Sequence, residues 1–231
     1  MGSQTQVTSS LCCRGWSRLS MRILAAIALA MLLPLSVQAD ESRPFRPVKT
    51  YSLVARDAET GELGAALQSH WLSVGSIVIW AEPGVGAVAT QSFAEPGYGP
   101  LGLQLMRAGK RAGQALAALL TADEHEDVRQ VGMVDADGTV ANHTGSNAIV
   151  EHCHLTGDEF AVQANMMWQP TVCEAMAKAY ESSAGDLAER LMLALEAAEG
   201  EGGDIRGKQS AALLVVNGDA AEPAWGGRIF D

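Results

Sequence analysis

Three histidines and a cysteine crowd one stretch of the chain: His143, then His152, Cys153 and His154 in a row. Such side chains bind metals only at spacings that let them converge, and neither C-x-x-C nor H-E-x-x-H occurs. On a strand, His152 and His154 share a face that Cys153 leaves. With Cys173 downstream, three readings stand: a Cys153–Cys173 disulfide, two separate buried thiols, or a metal held by this histidine-rich stretch. The disulfide is the expected one in an oxidising compartment; no metal and no cofactor are expected. Asp135-Ala136-Asp137-Gly138 looks like part of a calcium loop but lacks the third ligand position and the closing glutamate, so a turn is expected. Gly84-Val85-Gly86 echoes a dinucleotide loop, yet β-prone residues follow it and open no helix. No G-x-S-x-G occurs, and spacing alone selects no Ser-His-Asp set.

The elements that must position these residues alternate in type. Residues 49–56 and 62–69 read as a hairpin around the turn residues 57–61. The apolar runs 76–81 and 86–91 read as two more strands, divided by Pro83-Gly84. Residues 99–108 and 112–120 carry helical spacing, with Leu116, Leu119 and Leu120 on one face. Strands at 129–134 and 139–143 flank the Ala136-Asp137-Gly138 turn, and 160–166 is a further strand. Helices follow at 171–180 and 186–198. In the second, Leu187, Leu191, Ala194, Leu195 and Ala198 form an apolar stripe, and Asp186 stands at the capping position. Residues 210–216 read as a late buried strand. Hairpins imply antiparallel pairing, and clustered helices imply layers outside the sheets.

The first 39 residues read as a secretory signal. Residues 23–38 carry no charge, Arg14, Arg18 and Arg22 precede them, and no acid appears before Asp40. The apolar run is short for a membrane span, which needs about 20 residues, so no stable membrane anchor is expected. Met21 is a second candidate start. Removal of residues 1–39 takes three of the 16 bases and none of the 27 acids, leaving 192 residues with a net charge of −14. One domain is expected at that length, after a lead-in at 40–48. The acidity argues against nucleic acid as a partner, since phosphate binding needs clustered Lys and Arg. A periplasmic or secreted location is expected, and oligomeric state is left open, with a homo-oligomer among the outcomes.

Nine segments together resemble the bacterial domain-of-unknown-function family 1028: 50–57, 60–64, 84–91, 98–102, 129–132, 144–145, 154–157, 161–165 and 209–216. They occur in order across nearly all of the chain that follows the signal. The family resembles the N-terminal-nucleophile (Ntn) hydrolases, which implies an α+β fold: a four-layer αββα sandwich with two antiparallel sheets between helical layers. In such enzymes a Thr, Ser or Cys at the start of the first strand is exposed by cleavage, and its own α-amine serves as base. The matching residue is Thr50, with Ser52 as the other candidate. Asn165 is the expected oxyanion donor, with backbone N–H groups around Gly84 and Gly86 second. Gln68, Ser69 and Gln91 lie at strand ends expected to meet the same crevice.

The resemblance also implies what must be supplied. Signal removal leaves Asp40 as the N-terminus, so a second cut between Lys49 and Thr50 is required. The family pattern has glycine where this chain has Ala164, and it continues beyond Asp231. The implied activity is hydrolysis of small peptide-like amides; a non-catalytic binding or assembly protein on the same fold is the other reading.

Overall fold

A computed structural model describes residues 47–48, 50–220 and 228–230. The expected signal at 1–39 lies outside the described residues, as does 40–46 of the expected lead-in. Its last two residues, Pro47–Val48, form a short strand, β1. Ten more strands follow: β2 (Thr50–Arg56), β3 (Leu63–Ser69), β4 (Ile79–Glu82), β5 (Gly86–Phe93), β6 (Arg129–Asp135), β7 (Val140–Thr144), β8 (Cys153–Gly157), β9 (Phe160–Ala164), β10 (Ser210–Val216) and β11 (Arg228–Phe230). Among the described residues five α-helices are interleaved: α1 (Gly75–Val78), α2 (Tyr98–Arg107), α3 (Ala112–Ala122), α4 (Val172–Ser182) and α5 (Leu187–Gly200). The class is α+β.

The strands form two antiparallel sheets. In the first, β5 is central, flanked by β6 then β7 on one edge and by β1 and β4 on the other; the second runs β11-β10-β3-β2-β9-β8. Alternation sorts each strand into two faces, and here both faces are covered. Val54, Ala65, Leu67, Ala87, Ala89, Val134 and Ala161 pack between the sheets. Tyr51, Leu53, Ala66 and Val162 turn the other way, onto Met176, Leu187, Leu191 and Ala198 of α4 and α5. Val88, Val131 and Met133 pack outward on Leu103, Met106 and Leu116 of α2 and α3. The layers therefore run helices, sheet, sheet, helices.

Periodicity explains what matched expectation. The stripe Leu187, Leu191, Ala194, Leu195 and Ala198 is the buried face of α5. Asp186 caps that helix, its Oδ1 accepting from Glu189 N at 2.8 Å. The Asp135–Gly138 segment is a turn: Asp135 Oδ1 accepts from Asp137 N and Thr139 N, and Gly138 has φ of 82°. Residues 76–81, expected as one strand, are split. Ile77 and Val78 both donate to Val74 O at 3.0 Å, making α1, before β4 begins at Ile79. A short apolar run fits a buried helical turn as well as a strand, and here the chain must turn to leave β3 in one sheet for β4 in the other.

Cys153 and Cys173 are bonded to each other, joining the start of β8 to α4 across 20 residues. Closing a loop of that size is worth about 3 kcal/mol in chain-entropy terms. A Cys153→Ser, Cys173→Ser variant should therefore unfold at lower temperature by roughly 5–10 °C, read by circular dichroism. An unchanged midpoint would remove the crosslink from the list of stabilising features.

Candidate functional site

One end of the space between the sheets is polar instead of apolar. Thr50, Ser52, Ser69, Gln91, Gln130, Gln163 and Asn165 are all at most 1% exposed there. Buried polar groups persist when hydrogen-bonded, and these are bonded mainly to one another. Thr50 Oγ1 donates to Ser69 Oγ at 3.1 Å. Ser52 Oγ donates to Gln91 Oε1 at 2.7 Å and accepts from Gln163 Nε2 at 3.2 Å. Gln91 Nε2 donates to Thr50 O at 3.0 Å and to Gln130 Oε1 at 2.7 Å. Asn165 Nδ2 donates to Gln130 Oε1 at 3.1 Å and to Thr50 O at 3.4 Å.

Gln130 is the hub of this network. Its Oε1 accepts from two amides, and its Nε2 donates to Thr144 Oγ1 at 3.0 Å and to the carbonyls of Cys153 and Ala164, each at 3.1 Å. It thereby ties β6 to its sheet neighbour β7 and, across the gap between the sheets, to β8 and β9. Asn165 N also donates to Thr50 O at 3.0 Å, so three donors converge on that one carbonyl. Asn165 Oδ1 is buried with no hydrogen-bond partner among the described residues. Leaving such an acceptor unpaired costs about 1–3 kcal/mol.

Thr50, Ser69, Gln91 and Asn165 are thus brought together. Gln68, Gly84 and Gly86 are not. Gln68 pairs with Tyr51 in register, so it faces the helix layer while Ser69 faces the other sheet. Gly86 pairs with Asp135, whereas Gln91 pairs with Gln130. Five residues of strand, roughly 16 Å, separate Gly86 from the polar end. Gly84 has φ of +66°, and a Cβ there would lie 2.4 Å from Ala220 N; at Gly86 it would lie 2.6 Å from Val134 O. Both glycines serve a turn and close packing, and neither aims its N–H at Thr50. Ser52 spends its proton on an amide oxygen and has no base beside it.

The histidines have separate partners. His143 Nε2 lies 2.9 Å from Glu126 O, His152 Nδ1 lies 3.0 Å from Ile149 O, and His154 Nδ1 lies 2.7 Å from Thr144 Oγ1. No group of three His, Cys, Asp or Glu side chains able to hold a metal occurs among the described residues. Desolvation, then the neighbouring His143 and His152, holds His154 below the usual imidazole range. Thr144 Oγ1 already accepts from Gln130, so its proton goes to a neutral His154 Nδ1. A depressed folded pKa means the neutral form stabilises the fold above the ordinary value of about 6.5 and that contribution is lost as pH falls through the folded value. Thermal stability should therefore decline on acidification below that range, and His154→Gln should flatten the decline. An equal slope in the variant would remove His154 as its source.

Comparison with known proteins fits this geometry into a family. The family model for DUF1028, a family of unknown function, matches residues 50–228. The chain belongs to the DUF1028 family. The crystal structure of protein SPO2555 from Silicibacter pomeroyi, also DUF1028, is similar at 32% identity, with a TM-score of 0.68. The similarity covers 73% of this chain and 76% of that one. No curated protein matches. The family match begins at Thr50, the residue whose carbonyl the cluster grips, and the family's function is unknown.

Reading strands by alternation missed Gln130, Gln163, Thr144 and His154 as members of the cluster. Gln163 carried a signal in its place between Val162 and Ala164; Gln130 and Thr144 follow Arg129 and His143 and stand in no such alternation.

Proposed function

We propose that this chain is an exported amide hydrolase of the Ntn kind, with Thr50 as nucleophile. The observation that carries the reading is the setting of Thr50. It is the first residue of β2 and faces the polar end of the sandwich, with its carbonyl held by Gln91 Nε2, Asn165 N and Asn165 Nδ2. β1 ends at Val48 in the first sheet and β2 starts at Thr50 in the second, so the bond to be cut lies where the chain changes sheets. The layering of helices, two antiparallel sheets and helices supports an Ntn-hydrolase-like architecture.

Cleavage of the Lys49–Thr50 peptide bond by water would free the α-amine of Thr50. That amine needs an acceptor, and the unpartnered Asn165 Oδ1 beside the Thr50 carbonyl supplies one. The amine takes the Thr50 hydroxyl proton as Oγ1 attacks the substrate carbonyl, and returns it to the departing amine as the amide C–N bond breaks. Water then cleaves the acyl ester, giving a proton to the amine, which passes it to Oγ1 as the Thr50 hydroxyl is released and the free amine restored. Asn165 Nδ2 is committed to Gln130 and Thr50, so its part is to hold Thr50 and receive the amine. The substrate is a small peptide-like amide; the reaction uses no cofactor, and nucleic acid has no role in it.

A non-catalytic binding protein on this fold is the second reading. Thr50 is fully buried and internal to the chain, and its own hydrogen bonds run to hydroxyl and amide groups without a carboxylate or imidazole among them. The N-terminal residue of the protein recovered from its compartment separates the two. Thr50 at the N-terminus supports the enzyme; Asp40 there, in a protein without amidase activity, supports the binder.

A further inference from the structure

The backbone just beyond Asn165 is stitched to two other loops. Met166 N donates to Val150 O at 3.0 Å, Met167 N to Glu151 O at 3.2 Å and Trp168 N to Gly203 O at 3.0 Å; Ile205 N returns to Met166 O at 3.3 Å. Met167 turns into the core at 2% exposed, but three large apolar side chains on this bonded patch stand in solvent: Val150 is 70% exposed, Trp168 66% and Ile205 47%. Met166 and Glu151 adopt left-handed backbone, with φ of 58° and 54°. Residues with a Cβ hold that conformation at a cost, and such strain concentrates at functional sites. Trp168 is fixed from one side: Gly202 has φ of +101°, and a Cβ there would lie 3.1 Å from Trp168 Cβ and Cδ1.

Two unfavourable features, strained backbone and exposed indole, are therefore held in one place. That place is continuous with Asn165, whose own N–H binds Thr50. Exposed apolar side chains carried on one hydrogen-bonded patch of backbone mark a candidate site of interaction. The groups that reach Thr50 from within are hydroxyls and neutral amides, so a charged substrate group would find no counter-charge among them. The geometry points to an uncharged amide with a medium-length apolar arm as substrate, the arm lying on Trp168, Val150 and Ile205. These three residues determine specificity for the arm, and the assignment rests on the reading of Thr50 and Asn165 as the reacting end.

Calorimetry on the protein carrying Thr50→Ala and cut before residue 50 at an engineered protease site tests the ledge without turnover. The probes are N-acetylglycinamide, N-hexanoylglycinamide and N-acetylglycine hexylamide, which place a hexyl-length arm on either side of the amide or on neither. At least one long-arm probe should bind about tenfold or more tighter than N-acetylglycinamide, as burial of several methylenes requires. Adding Trp168→Ala should abolish that gain, and Trp168→Phe should restore most of it. The side chain is mostly exposed, so an unchanged melting curve is expected for both. Equal affinity for the three probes, no binding of any, or a gain that survives Trp168→Ala would overturn the ledge. Turnover by the wild-type chain is scored separately: length-dependent binding without hydrolysis sinks the amidase and keeps the ledge, and length-independent hydrolysis does the reverse.

Discussion

Thr50→Ala should leave a folded chain that is never cut before residue 50 and does not hydrolyse amides. Among the described residues the hydroxyl makes a single bond, to Ser69 Oγ at 3.1 Å, so its removal should cost only about 1 kcal/mol of stability. Removal of a nucleophile from an acyl-transfer site lowers turnover on the order of 10⁴-fold or more. Thr50→Ser keeps both the hydroxyl and the prospective amine and should retain processing and measurable activity. Intact mass gives the cut, and hydrolysis of a peptide-like amide gives the turnover. If the alanine variant is processed and active while the serine variant is no better, the chemistry resides on another residue.

Gln130→Ala should destabilise the protein by about 3–5 kcal/mol, a loss reserved for broken buried networks. The side chain is fully buried, and its amide makes five hydrogen bonds, to Gln91, Asn165, Thr144, Cys153 O and Ala164 O. Truncation leaves two carbonyls without this donor and opens a hole between β6, β8 and β9. It also frees Asn165, so processing at Thr50 should slow even in molecules that remain folded. Urea denaturation measures the first effect and the cut fraction over time the second. A stability loss under about 1 kcal/mol would mean that water replaces the amide without penalty and that the network does not organise this end of the sandwich.

Most helices and several strands were legible because their periods are strong. The stripe on α5, the cap at Asp186 and the turn before Gly138 each follow from local rules, and the pairing of Cys153 with Cys173 followed from an even count. The polar cluster was harder for a physical reason. In a four-layer arrangement both faces of both sheets are covered, so a glutamine aimed at the other sheet leaves the same trace in the sequence as one aimed at water. Gln130 and Gln163 were hidden in that way. β8 was missed because most of Cys153–Gly157 is exposed at the edge of its sheet and lacks an apolar pattern. Gln68 was misassigned for a simpler reason: it neighbours Ser69 in the chain, and neighbours on a strand look in opposite directions. Gly84 and Gly86 lie in a resembling segment whose far end, at Gln91, is the part that reaches Thr50.

The bonds that organise the polar end join neutral groups. Elsewhere the molecule relies on ion pairs, such as exposed Arg107 with Glu82, and the whole chain carries a net charge of −11. Dissolved salt weakens interactions between exposed charges beyond a Debye length, which is about 10 Å at 0.1 M, and it has little purchase on neutral amides bonded to one another. Ionic strength therefore acts on the surface and leaves the interior cluster in place, so the grip on the Thr50 carbonyl is the same in dilute and in briny surroundings.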